Sequence, residues 1–359
     1  MLKLSRILLV VLSIIAVSCG SNTSQKPESD SMQNQKGRAA YYWKSIFKLN
    51  DREVSFLSEH SIDKLYIRLF DVVMERNEVV PIATTKFVSS VPDIIEIVPT
   101  VYITLSALKR YSSNEEELAQ LIVTRVLNMC SYHDLNNIKE IQFDCDWTSS
   151  TRYSFNCLCE HAKEILHPQG IALSGTIRLH QIEEAEYPFD RGVVMLYNTG
   201  DFRNLSTENS ILSYDDVEKY LGVKKRVRKF MEARKHNCET IDIAYPLFSW
   251  SAFFNKKGSF LCLNKRTDFS DIEGIVKLDN TTASSDNHFV VNKSCWIDDE
   301  FFSAGTTIRV EQSDIDIILR VKDLVDNTIG SVAQHNIIYH LDSQTILNYS
   351  ENEIEKILR

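Results

Sequence analysis

The sequence predicts an α/β protein: a (β/α)8 TIM-type barrel with an α+β insertion between strands seven and eight. Short segments rich in β-branched and aromatic residues alternate with amphipathic helical segments along most of the 359 residues, and this alternation is typical of a parallel sheet. Eight such strand segments can be counted, which is the number in a TIM-type barrel. An open doubly wound sheet is the alternative, but no glycine-rich phosphate turn follows any of the predicted strands.

The strands are predicted where apolar and polar residues alternate. In chain order they cover Tyr41–Lys44, Lys64–Asp71, Glu96–Thr104, Glu140–Trp147, Ile171–Leu179, Arg191–Asn198, Glu239–Leu247 and His335–Asp342. The long segment before the eighth strand breaks this rhythm. It holds three shorter strand-like runs and one helix, at Phe260–Leu263, Phe289–Val291, Thr307–Val310 and Ser313–Val325.

Helices are predicted from apolar residues at helical spacing and from the capping residues that precede them. Asn50 precedes a helix over Asp51–Glu59, and Asn114 precedes another. The remaining predicted helices are Thr151–Leu166, Tyr214–Leu221, the basic segment Lys224–His236 and Glu351–Leu358. We expect the cations of the basic helix to lie on a solvated face.

The first residues have the layout of a secretory signal. Lys3 and Arg6 precede an apolar run from Ile7 to Val17, which is about half the length needed to span a bilayer. The end of the run and the two residues after it read Ala16-Val17-Ser18-Cys19, which resembles the lipobox of bacterial lipoproteins. This resemblance implies lipidation of Cys19 and anchoring to a membrane of the bacterial cell envelope. The outer membrane is favoured, and the periplasmic and surface faces both remain open.

These observations divide the chain into a signal peptide, a tether, a barrel and an insertion. The signal covers residues 1–18, and the polar segment 19–38 lacks aromatic side chains, which predicts a flexible tether. The barrel is predicted over 39–250 and 331–359, and the insertion over 251–330. A plain signal peptide followed by an incidental cysteine is the alternative to the lipid anchor.

Charge and residue spacing exclude several classes of function. The chain carries 40 Lys and Arg against 49 Asp and Glu, a formal net charge of −9. An acidic chain is a poor candidate for nucleic-acid binding, which depends on phosphate neutralisation. No Cys or His residues have zinc-site spacing, so the sequence predicts neither a metal site nor a cofactor.

The fourth predicted strand carries the candidate catalytic residues. Side chains alternate along a strand, so Gln142, Asp144, Asp146 and Thr148 share one face, and the opposite face is apolar. The apolar face can pack on helices, so we expect the polar face to point into the barrel. Two aspartates so close together push one pKa upward, which suits Asp144 and Asp146 to catalysis. The alternative is a buried, hydrogen-bonded pair that stabilises the barrel.

Polar and aromatic residues near the ends of other strands complete the predicted site. TIM-barrel enzymes place their sites at the carboxyl ends of the strands, and flat aromatic rings there suit the faces of sugars. The candidate substrate-binding residues are Arg68, Asp71, Tyr102, Arg178, His180, Tyr197, Asn198 and Trp250. We therefore expect a glycan or another carbohydrate as the partner of this cleft.

Two motifs resemble glycoside hydrolase family 18, the chitinase-like barrels. Asp144-Cys145-Asp146-Trp147 is similar to the family's Asp-x-Asp-Trp-Glu on the fourth strand, and Met195-Leu196-Tyr197-Asn198 is similar to its Met-x-Tyr-Asp on the sixth. That family often inserts an α+β domain after strand seven. Its proton-donating Glu falls at Thr148, and its sixth-strand Asp falls at Asn198. The resemblance therefore implies a relative that lacks the family's chemistry.

A larger part of the chain resembles an uncharacterised family of bacterial barrel lipoproteins, a domain of unknown function. The segments that carry this resemblance include Leu65–Asp71, Gln142–Thr148, Thr176–Gln181 and Pro246–Trp250. Thr148 is the residue expected in that family. This resemblance implies the barrel fold and no established reaction.

Three functions are compatible with the sequence. The first is a glycan hydrolase of the envelope, with Asp146 as acid or stabiliser and Asp144 tuning its pKa. The second is a non-catalytic glycan-binding lipoprotein that uses the same cleft. The third is an assembly lipoprotein whose insertion docks a protein partner. Thr148 leaves it open whether the protein is an enzyme.

Overall fold

A computed structural model describes residues 36–92, 94–136, 138–184, 186–238, 240–278 and 287–359. The predicted signal peptide, Cys19 and nearly all of the predicted tether lie outside the described residues. Within the described part of the chain, no helix has the length and apolar character needed to cross a membrane.

Eight parallel strands form the central sheet, and the sheet closes on itself. In chain order the strands are β1 (Gly37–Tyr42), β2 (Lys64–Glu75), β3 (Glu96–Ile103), β4 (Glu140–Asp144), β5 (Ala172–Ile177), β6 (Arg191–Met195), β7 (Thr240–Pro246) and β8 (Ala333–Tyr339). Closure comes from β1, which pairs in parallel with both β2 and β8. The predicted (β/α)8 TIM-type barrel is therefore confirmed.

Helices lie between the strands and cover the barrel. They are α1 (Asp51–Glu59), α2 (Leu105–Arg110), α3 (Glu115–Tyr132), α4 (Arg152–Leu166), α5 (Tyr214–Leu221), α6 (Lys224–Ala233), α7 (Ile315–Thr328) and α8 (Glu351–Leu358). Asn50 caps α1 through a reciprocal capping box with Glu53. Asn114 stands at the start of α3 but makes no capping bond with its side chain. The basic helix ends at Ala233, before a short 3-10 turn.

The segment between β7 and β8 forms an antiparallel sheet with its own core. Its five strands are Ser249–Phe254, Phe260–Asn264, Ile275–Lys277, His288–Val291 and Thr307–Gln312. A hairpin of Cys295–Ile297 and Glu300–Phe302 buries Ile297 and Phe302 in this second core. The sheet thus spans residues 249–312. Helix α7, inside the predicted 251–330 insertion, instead packs Ile318 and Val321 into the barrel core.

Three further pieces of regular structure lie at the edges of the barrel. The strand Glu78–Ile82 pairs in antiparallel fashion with the end of β2. The short strands Ile46–Phe47 and Lys86–Phe87 pair with each other. Together they extend the rim of the barrel beside β1 and β2.

Close packing around Gly175 leads to a first prediction. A Cβ atom at this position in β5 would lie 2.2 Å from Cδ1 of Phe189, whose ring is fully buried. We expect Gly175→Ala to lower the free energy of unfolding by about 3 kcal/mol because the ring has no space to move into. Urea unfolding measures the change.

The double variant Gly175→Ala/Phe189→Leu is the matched control. A smaller side chain at Phe189 relieves the clash, so this variant should regain part of the loss in unfolding free energy. A single variant as stable as the wild type would show that the ring does not fill this space.

Candidate functional site

The interior of the barrel is polar where β4 and β5 meet. Gln142 accepts a hydrogen bond from the Tyr41 hydroxyl at 2.7 Å, and Asp144 accepts one from the Thr176 hydroxyl at 2.7 Å. The predicted inward face of the fourth strand is thus observed, although the strand ends at Asp144. Trp147 lies on the helix side, where it is fully buried and stacks on Phe155 of α4.

Arg178, the first residue after β5, joins the two candidate catalytic aspartates. Its Nε atom lies 2.5 Å from Asp146 Oδ1, and its Nη2 atom lies 3.9 Å from Asp144 Oδ1. The guanidinium also lies over the Tyr197 ring, 5.4 Å from the centroid. The alternating charges form one cluster at the mouth, in which Asp144 is buried below the partly exposed Asp146.

Burial controls the ionisation of this cluster. It raises the pKa of Asp144 to about 6; the charge of Asp146 adds to the rise, and Arg178 and the Thr176 hydroxyl oppose it. Burial lowers the pKa of Arg178, but the two carboxylates more than compensate and the net shift is upward. Burial, followed by the charges of Asp146 and Asp144, raises the pKa of Tyr102 to about 12. At neutral pH the guanidinium and the phenol therefore keep their protons.

A second ion pair lies at the same level of the barrel. Asp71 on β2 is in register with Tyr102 on β3, which is in register with Asp144 on β4. Arg68 binds Asp71 through two hydrogen bonds, one of 2.6 Å from its Nε atom. The Arg68 guanidinium lies 5.8 Å from the ring centroid of Trp43. The structure thus brings together Arg68, Asp71, Tyr102, Asp144, Asp146 and Arg178.

Aromatic rings form the next part of the mouth. Tyr339, the last residue of β8, stacks on Tyr197 with centroids 4.2 Å apart, and its ring also contacts Trp43 and Phe248. Phe248 packs edge-on against Trp250. The rings of Trp43, Phe248, Trp250 and Tyr339 line a cavity of about 750 Å³. The segment Leu263–Asp268 of the inserted region and several residues that follow β8 also line it.

The other three predicted residues are Asn198, Trp250 and His180. Asn198 lines this cavity in a left-handed backbone conformation with φ of 53°, which asparagine tolerates better than most residues. Trp250 also lines it. His180 does not share the inward face of Arg178, because β5 ends at Ile177 and the chain enters a 3-10 turn. The exposed His180 points instead to the backbone oxygen of Trp147, at 3.3 Å.

Tyr339 and Glu311 are among the contributors that were not predicted from the sequence. Tyr339 lies at the centre of the aromatic cluster, and its position at the end of an apolar strand was the available signal. Glu311, which binds the Trp250 indole at 2.9 Å, lies far away in sequence and gave no local signal. Among the described residues, no group of three or more His, Cys, Asp or Glu side chains could hold a metal ion.

The buried Asp144 carboxyl allows a second prediction. We expect Asp144→Asn to raise the unfolding free energy by about 2 kcal/mol at pH 8 and to change it little at pH 4. The folded-state pKa of about 6 exceeds the ordinary value of 3.8. The stabilising contribution of the protonated Asp144 carboxyl is therefore complete below about pH 4. It is lost as the pH rises through 6, because the buried carboxyl then ionises. Urea unfolding at both pH values tests this.

The exposed Asp323 on α7 provides the control for this prediction. Asp323→Asn should change the unfolding free energy by less than about 0.5 kcal/mol at either pH. A loss of stability in Asp144→Asn at pH 8 would mean that the ionised carboxylate stabilises the barrel, contrary to the expected effect.

Solved structures of other proteins have a fold similar to that of this chain. No protein-family model and no curated protein sequence matches the chain. Among solved structures, the "C-terminal domain of putative chitinase" from Desulfitobacterium hafniense has 9% identity and a TM-score of 0.53, over 91% of this chain and 100% of that one. The spore cortex-lytic enzyme SleL of Bacillus cereus has 14% identity and a TM-score of 0.49, over 90% and 74%.

A class V chitinase from Nicotiana tobaccum has 9% identity and a TM-score of 0.47, over 90% and 98% of the two chains. A mutant of that enzyme has been solved with NAG4. The Desulfitobacterium hafniense domain shares the barrel fold of this chain at low sequence identity.

Proposed function

We propose that this protein binds a glycan at the carboxyl mouth of its barrel and does not carry out the acid-catalysed hydrolysis of family 18. The observation that carries this proposal is the pairing of the mouth carboxylates with cations. Asp146 is bound by Arg178, Asp71 by Arg68, and Asp342 by Lys44 at 3.0 Å. Each of these carboxylates is thus engaged by a cation of the protein and does not stand unpaired at the mouth.

The position of the family's catalytic acid supports the same conclusion. Thr148 stands there, and its hydroxyl lies 3.0 Å from that of Ser150. A threonine hydroxyl cannot protonate a glycosidic oxygen at neutral pH. Asp144 has a raised pKa, but it is buried behind Asp146 and Arg178, where a leaving group cannot reach it.

The cavity has the properties of a carbohydrate site. Its volume of about 750 Å³ lies in the range of small-molecule sites, which combine apolar walls with a few polar groups. The aromatic side chains of Trp43, Trp250 and Tyr339 line it and suit contacts with sugars. Asn198 and Gln344, in the same cavity, offer amide groups that can bind hydroxyls.

Hydrolysis remains the second candidate function, because Asp146 is partly exposed at the mouth and Asp144, with its raised pKa, lies beside it. In that case Asp146 would act as the acid once a substrate displaced Arg178. The pairing seen in the structure favours binding over this alternative.

One experiment separates the two functions. Purified wild type and Asp146→Asn are incubated with a panel of envelope and host glycans, and retention and product release are measured together. Binding predicts retention by both proteins without release. Release by the wild type alone would establish a hydrolase centred on Asp146. No retention of any glycan by the wild type would contradict the proposed function.

We also propose that Cys19 anchors the protein to the bacterial envelope, on the lipobox-like sequence that precedes it. Growth with a labelled fatty acid should label the wild-type protein, and Cys19→Ser should abolish both the label and membrane association. A soluble, unlabelled wild type would contradict the anchor without affecting the glycan site.

A further inference from the structure

A fully buried ion pair lies behind the wall of the cavity. Arg309 and Glu311 are neighbours on one face of the strand Thr307–Gln312, with Arg309 Nε 2.5 Å from Glu311 Oε1 and neither side chain exposed. The other oxygen, Glu311 Oε2, accepts from the Trp250 indole at 2.9 Å. It also accepts from the backbone N–H and hydroxyl of Ser210, at 2.9 and 2.5 Å. Both carboxylate oxygens are therefore occupied.

The same pair holds the loop that follows β6. Arg309 donates to the backbone oxygen of Asn204 at 2.7 Å and to that of Phe202 at 3.2 Å. The Phe202 ring packs edge-on against Trp250, with centroids 6.0 Å apart. Residues 202–210 and the Trp250 indole thus depend on one buried pair in the inserted sheet.

The buried charge of Glu311 affects the Trp250 ring, which lines the cavity. Trp250 is directly opposite Glu311 in the antiparallel pairing of the sheet, so an apolar residue at 311 would supply packing alone. A buried ion pair is often no more stabilising than apolar residues of equal size. Its hydrogen bonds are directional, and the bond to Nε1 fixes the plane of a ring that lines the cavity.

We propose that Glu311 is a positioning residue: it sets the orientation of the Trp250 ring in the cavity and couples that ring to residues 202–210. Sugar stacking requires a ring held in one plane, and side chains locked by a supporting hydrogen-bond network lose less freedom on binding. The effect on ligand affinity rests on the proposed function, whereas the orientation of the ring does not.

The test compares Glu311→Gln with Trp250→Phe, separately and combined. The indole N–H signals are recorded by NMR, and the Trp250 signal is identified by its loss in Trp250→Phe. Hydrogen bonds to charged acceptors are the stronger ones, so Glu311→Gln should shift the Trp250 signal upfield and leave the Trp43 and Trp147 signals in place. An unmoved Trp250 signal would overturn the proposal.

Affinity for the glycan retained by the wild type gives a second readout. We expect each single variant to bind about tenfold more weakly and the double variant to bind no more weakly than Trp250→Phe. Strictly additive losses would show that Glu311 acts independently of the ring, and would overturn its positioning role. If the wild type retains no glycan, the proposed function fails, and the NMR shift still decides the orientation of the ring.

Ser210→Ala keeps the test decisive if Glu311→Gln fails to fold. This variant removes one hydrogen bond to Glu311 Oε2 and leaves the ion pair intact. Its effect on the Trp250 signal should be smaller than that of Glu311→Gln but should be detectable. No change in the Trp250 signal would count against the network.

Discussion

Replacement of Arg178 by methionine should weaken glycan binding and lower the unfolding free energy by about 3 kcal/mol at pH 8. The guanidinium is mostly buried, contacts Asp146 at 2.5 Å and lies 3.9 Å from Asp144. Methionine fills the volume but leaves the buried Asp144 carboxylate without a nearby cation. It also removes the group that packs over the Tyr197 ring.

The loss of stability in Arg178→Met should depend on pH. Arg178 now opposes the rise in the pKa of Asp144, so its removal should raise that pKa above 6. The Asp144 carboxyl then remains protonated at pH 5. Because it carries no charge there, it does not require a neighbouring cation. We therefore expect a smaller loss of unfolding free energy at pH 5 than at pH 8. Urea unfolding and glycan retention at both pH values measure the two effects.

An exposed arginine serves as the control. Arg152 on α4 binds Glu184 at 2.5 Å but is largely open to solvent, so Arg152→Met should change stability by less than about 1 kcal/mol. Equal losses in the two variants would mean that burial does not distinguish the Arg178 cluster. Undiminished glycan retention in Arg178→Met would remove the cluster from the binding site.

Periodic features of this fold could be predicted from the sequence. A strand has a period of two residues, so the face that carries Gln142 and Asp144 had to be opposite to that of Phe143 and Trp147. The structure has this arrangement, because alternation depends on the backbone alone. The register of Asp71 with Tyr102 could not be predicted in this way, because the pairing of β2 with β3 shifts by one residue between Arg68 and Phe70.

The sequence predicted the positions of side chains less accurately where a strand ends. Alternation placed Arg178 and His180 on one face, but the 3-10 turn after Ile177 rotates His180 away. Tyr339 was missed because it ends an apolar strand and reaches the mouth only through the closure of the barrel. Glu311 was missed because its partners, Trp250 and Ser210, are brought to it by the packing of a separate sheet. No local pattern encodes such long-range contacts.

The variant Thr148→Glu tests most directly why this barrel should lack hydrolytic activity. If the glycan binds at the mouth and only the acid is missing, a glutamate there should produce slow cleavage where the wild type releases nothing. General acid catalysis typically contributes about 10²–10⁴-fold. The Thr148 side chain is partly exposed, so a longer side chain has room. Mass spectrometry of the retained glycan detects the products.

Thr148→Gln is the matched control, because it has the same size and no acidic proton. Cleavage by the glutamate variant alone would identify the missing acid as the reason for inactivity. Retention without cleavage in both variants would point to the arginine pairs, since Arg178 would still engage Asp146. The barrel would then differ from a hydrolase in its whole charge arrangement, and the Arg178–Asp146 pair would belong to the binding surface itself.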